Sequence, residues 1–87
     1  MQKIMTIEYP VDDHAVLMSW DEGFQITTYL ESETSLVLQA NREGLISLAR
    51  LFLSLAHYQG GTHVHLDEYN GILDGKSVGL VICKDGD

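Results

Sequence analysis

Asn41-Arg-Glu-Gly-Leu-Ile-Ser-Leu-Ala-Arg50-Leu-Phe-Leu-Ser-Leu-Ala-His-Tyr58 is the stretch on which the fold turns. No proline interrupts it, Asn41 offers a side-chain oxygen to the free N–H groups of a first turn, and Glu43 lies where a helix N-terminus favours negative charge. A helix is therefore predicted from about Arg42 to Tyr58, stopped by Gly60 and Gly61, which supply the positive φ that helix ends often need. Leu45, Leu48, Ala49, Phe52, Leu55 and Ala56 recur at i, i+3, i+4, i+7 spacing and are predicted to pack. Ser47, Arg50, Ser54 and His57 take the opposite stripe, predicted to be wet. Leu51 and Leu53 widen the apolar arc, which suits a helix lying in the trough of a curved sheet.

Outward from the helix, the pattern changes to period two. Upstream, Lys3 to Tyr9 alternates and stops at Pro10, Asp12 and Asp13. His14 to Trp20 places Val16, Met18 and Trp20 on one face, and Asp21-Glu22-Gly23 reads as a hairpin loop. Phe24 to Leu30 and Leu36 to Ala40 come next, joined by the polar run Glu31 to Ser35. Downstream, Thr62 to Asp67 and Ser77 to Lys84 are predicted strands, linked by a long tip carrying the turn dipeptides Asn70-Gly71 and Asp74-Gly75. The expected fold is α+β: one amphipathic helix packed on a mostly antiparallel sheet, order β-β-β-β-α-β-β, in a single domain over residues 1–87. One helix cannot cover both faces of such a sheet. Val37 and Val81, with Cys83 as a third candidate, should stay partly exposed there, marking a homodimer or partner surface.

Thirteen acidic residues against five basic ones give a formal charge of −8. That sign repels phosphate backbones and anionic lipid, so nucleic acid and membrane are excluded as partners and a basic protein is favoured. With one cysteine, Cys83, no internal disulfide can form, and its place in an apolar run predicts a buried thiol in a reducing cytoplasm. The chain opens without a basic segment and apolar core of the secretory kind, and its apolar stretches are too short to span a bilayer.

The most conspicuous candidate site is His63-Val64-His65-Leu66-Asp67, where alternation puts His63, His65 and Asp67 on one face. Two imidazoles and a carboxylate could ligate zinc, giving a small metal-binding protein or metal-dependent enzyme as an alternative reading. His-x-His alone is a weak signal, and neither His14 nor His57 completes a recognisable spacing, so no metal or cofactor is assigned. The bland reading is a hydrogen-bonded polar patch. Asp67, Glu68, Tyr69 and Asn70 set acidic groups beside an aromatic anchor, the make-up of a binding edge. His63, His65, Asp67, Glu68, Tyr69 and Asn70 are the candidate partner-binding residues. Trp20 is predicted to be core, with a partner anchor near the first hairpin tip as the alternative. Ser47 and Ser54 lack a paired base, and no phosphate loop, dinucleotide fingerprint, Cys-x-x-Cys or His-Glu-x-x-His occurs, so no catalytic residue is named.

Two segments, Asn41-Arg-Glu-Gly-Leu-Ile-Ser-Leu-Ala-Arg50 and Gly61-Thr-His-Val-His-Leu-Asp-Glu-Tyr69, with the Ser77 to Ile82 strand, resemble the bacterial immunity protein 32 family. The likeness covers about the C-terminal half. It implies a cytoplasmic, non-enzymatic protein that neutralises a cognate bacterial toxin by binding it. A structural subunit of a larger assembly is the remaining alternative.

Overall fold

The cap forms as its chemistry predicts. Asn41 is extended (φ −76°, ψ 179°), and its Oδ1 accepts the Gly44 N–H at 2.9 Å. The helix α1 then runs over Arg42–His57 in the computed structural model, which describes residues 1–86. At its end the Tyr58 N–H is shared between the carbonyls of Ser54 and Leu55, and Gly60 turns the chain at φ +86°. No helix among the described residues is long and apolar enough to cross a membrane.

Two antiparallel hairpins flank the helix in sequence. Ile26–Ser32 (β1) pairs with Ser35–Ala40 (β2), Ile26 opposite Ala40 and Leu30 opposite Leu36, with an irregularity between Leu30 and Ser32. Thr62–Leu66 (β3) pairs with Leu80–Lys84 (β4), Thr62 opposite Lys84 and Leu66 opposite Leu80. The class is α+β, but among the described residues the order is β-β-α-β-β and the strands form two separate two-stranded sheets, not one. The predicted strands at Lys3 to Tyr9 and His14 to Trp20 do not form.

Their absence has a local cause. The second edge of β1, where a neighbouring strand would have paired, is taken by the segment after β3. Asp74 N–H donates to the Ile26 carbonyl at 2.8 Å and Val78 N–H to the Thr28 carbonyl at 3.1 Å. The Thr28 N–H donates to Ser77 Oγ, and its hydroxyl to the Val78 carbonyl. The N-terminal segment lies along α1 instead, bonding to helix side chains. Ser54 Oγ donates to the Pro10 carbonyl at 2.8 Å, Arg50 donates to the carbonyls of Glu8 and Ser19, and Ser47 Oγ accepts the Asp21 N–H at 2.9 Å. Arg50 also pairs with Asp21 at 3.1 Å.

These contacts rotate the buried face of the helix from the predicted one. Gly44, Ser47, Leu48, Leu51, Ser54 and Leu55 are buried. Ser47 and Ser54, predicted wet, are only 1% and 4% exposed because the N-terminal segment supplies their hydrogen bonds. Leu45, Ala49, Phe52 and Ala56, predicted to pack, are exposed along the other side. The helix is apolar on two sides, and periodicity alone could not choose between them.

The core joins Leu48, Leu51 and Leu55 of α1 to Ile26 of β1, Val64 and Leu66 of β3, and Ile72 and Leu73 of the β3–β4 link. Each such side chain contributes about 1.5–3 kcal/mol by leaving water. Trp20 stacks on Phe24 with centroids 5.1 Å apart, and both pack against this cluster as partly buried members. Cys83 is exposed, not buried, because β4 sends Ile82 inward and its neighbours outward. Val81 is exposed on the same side, whereas Val37 is half-buried.

Candidate functional site

β3 places the candidate residues by strand alternation: Val64 and Leu66 go to the core, so His63 and His65 must face out. Their rings meet edge to face, 5.1 Å between centroids. Cys83 and Val81 stand opposite them on β4. Asp67 does not join this face. The strand ends at Leu66, and the Asp67 carboxylate turns to accept the Asn70 N–H at 2.8 Å. Among the described residues no group of three His, Cys, Asp or Glu side chains is arranged to hold a metal ion. The trio expected from alternation is thus not assembled.

Asn70 organises the turn after β3. Its Oδ1 accepts the N–H groups of Asp67 and Ile72, and its Nδ2 donates to the His65 carbonyl at 2.9 Å. Glu68 Oε2 accepts the Lys76 N–H at 3.1 Å, across a turn in which Gly71 (φ +78°) and Lys76 (φ +69°) both adopt left-handed backbone. Behind the turn, Ile72 and Leu73 are buried, so the link is not a free tip; it is anchored in the core and bonded along β1. Tyr69 sits on this anchored turn at 91% exposure, between Glu68 and Asn70. A rigid support that presents one large aromatic with a carboxylate beside it can make contacts at little cost in side-chain ordering.

The β1–β2 hairpin carries a second exposed surface that alternation did not single out. Leu30, Leu36 and Leu38 lie on one face of it and are 61%, 49% and 37% exposed. At its base, Gln25, Thr27, Gln39, Ala40, Asn41 and Asp74 line a shallow hollow of about 300 Å³. Its one charged group is the Asp74 carboxylate, which accepts from Thr27 Oγ1 at 3.2 Å. The signal available in the sequence was charge: from Gln25 to Asn41 the only ionisable side chains besides Tyr29 are Glu31 and Glu33.

Fold and site together define a small acidic α+β protein that presents an anchored, aromatic-tipped turn and an apolar hairpin. The chain belongs to the Immunity protein 32 family, whose model matches residues 35–85, from the start of β2 to just past β4. No curated protein and no solved structure matches the chain.

Proposed function

We propose that this protein is a non-enzymatic immunity protein, acting as one domain, that neutralises a cognate bacterial toxin by binding it in the cytoplasm. The observation that carries the reading is membership of the immunity family over most of the folded elements. The net charge of −8 favours a basic toxin and would speed the encounter. Asp67, Glu68, Tyr69 and Asn70, with His63 and His65 beside them, are the proposed contact residues, Tyr69 acting as the anchor. Truncating such an anchor typically weakens a complex by about 2 kcal/mol or more.

Co-expression tests the reading. The product of the neighbouring gene should arrest growth when expressed alone and permit it when this chain is present, and Tyr69→Ala should weaken the protection. A neighbouring product that is harmless, or whose toxicity the chain does not relieve, removes the reading.

A further inference from the structure

We propose that β2 is a docking edge, onto which an extended, Lys- or Arg-bearing segment of the partner adds as a further strand. The identity of that partner as a toxin rests on the function proposed above; the edge itself stands on geometry.

Thr28 directs its N–H and C=O away from β2, to Ser77 Oγ and Val78 N–H. In an antiparallel pair, opposite residues face their main-chain groups the same way relative to the ladder, both inward or both outward. Leu38 stands opposite Thr28, so its N–H and C=O point away from β1 into the open, and those of Leu36, two residues along, do the same. Among the described residues no main-chain or side-chain hydrogen bond reaches Ser35–Ala40 from outside the β1–β2 ladder.

The other strands carry some cover or an edge lysine. β1 is covered by residues 74–78, the His65 carbonyl on β3 is taken by Asn70 Nδ2, and β4 ends in Lys84, which donates to the Tyr58 carbonyl. β2 has none of the usual protection: Ser-Leu-Val-Leu-Gln-Ala contains no proline, no lysine and no charge, and the irregularity of the hairpin lies in β1. Exposed Leu30, Leu36 and Leu38 give an added strand apolar side chains to cover.

Charge selects the occupant. Glu31 and Glu33 flank the hairpin turn beside the start of β2, and no basic residue occurs between Gln25 and Asn41. A basic strand is attracted at the turn end, and nothing along β2 repels it. A second copy of this chain would bring the same carboxylates and another charge of −8 to the edge, and is disfavoured. Strand addition takes its affinity from main-chain bonds and its specificity from alternate side chains, which matches what this edge offers.

The test uses the full chain and a soluble probe, the peptide acetyl-Lys-Val-Lys-Val-Lys-Val-amide, followed by amide NMR and hydrogen exchange. Saturable shifts confined to the β1–β2 hairpin are expected, with slowed exchange at Leu36 and Leu38. The Glu-Val counterpart should bind about tenfold or more weakly, and N-methylation of alternate peptide bonds should abolish binding. Leu38→Pro removes one outward N–H and should weaken the probe about five- to tenfold, the loss of one main-chain bond. Leu36→Lys with Leu38→Lys supplies an edge-protected variant that does not depend on proline being tolerated. Absence of binding, shifts centred on another strand, equal binding of the acidic peptide, or protection of Leu36 and Leu38 by self-association alone would each overturn the proposal. Full toxin neutralisation by both edge variants would remove the edge and leave the immunity reading standing; failed neutralisation by the unaltered chain would remove that reading while the peptide still judges the edge.

Discussion

The two hairpins of this protein have the same number of strands and the same antiparallel pairing, yet they do different work. β3–β4 sends Val64 and Leu66 into the core, with Leu80 and Ile82 packed against it, and its long link returns Ile72 and Leu73 to the same cluster. β1–β2 contributes Ile26 and Thr28 at its base and leaves Leu30, Leu36 and Leu38 in water. The difference lies in the segments that join the strands. The β3–β4 link is long enough to fold back and bond along β1, whereas the β1–β2 turn is short and ends in solvent. One hairpin builds the protein and the other is presented by it.

That contrast is sharpest in the cost of losing a leucine. Leu66→Ala, at a fully buried position, should cost about 3 kcal/mol of unfolding free energy by denaturant titration. Equal losses at Leu66 and at an exposed β2 leucine would break the comparison. At the seam where the first hairpin meets the helix, a methyl group added to Gly44 would lie 2.7 Å from the Gln25 carbonyl oxygen and 3.1 Å from Asn41 Oδ1. Because the nearest obstacle is backbone, Gly44→Ala should cost about 2 kcal/mol despite alanine's better helix propensity. A stabilised Gly44→Ala variant would show that this hairpin is only loosely held at its base.

Smaller effects separate the two exposed surfaces. Asn70→Ala removes the bonds that hold the Tyr69 turn to His65, Asp67 and Ile72, and should cost about 1–2 kcal/mol while raising hydrogen exchange at the Asp67 and Ile72 amides. Unchanged exchange would mean that the turn is held by its buried Ile72 and Leu73 alone. Leu36→Ala should shift stability by less than about 0.5 kcal/mol, because that side chain is half in water and stands outside the core cluster. Its effect should appear in partner binding, measured by calorimetry against the proposed toxin partner.

The sequence revealed local features more reliably than long-range ones. The helix start, its cap and its glycine stop were readable because each rests on residues within a turn of one another. The strands of both hairpins were also readable, to within a few residues, from alternation bounded by turn dipeptides. Lys3 to Tyr9 and His14 to Trp20 alternate just as well, but alternation states only what a strand would look like if a partner edge were free. Residues 74–78 occupy that edge. For the candidate site, the outward pair His63 and His65 and the exposure of Tyr69 came from the pattern, while the withdrawal of Asp67 depended on Asn70, three residues beyond it.

What the sequence determined by itself is the set of elements that close locally: the capped helix, the two hairpins, the acidic charge and the membership of an immunity family. The tertiary structure decided which helix face is buried, which strand edges are covered and which leucines stay in water. Those choices depend on groups far apart in the chain, such as Pro10 with Ser54, Asp21 with Ser47 and Asp74 with Ile26. A serine reads as a surface residue until a distant backbone group satisfies its hydroxyl, and a β-strand edge is open or closed only relative to what packs beside it.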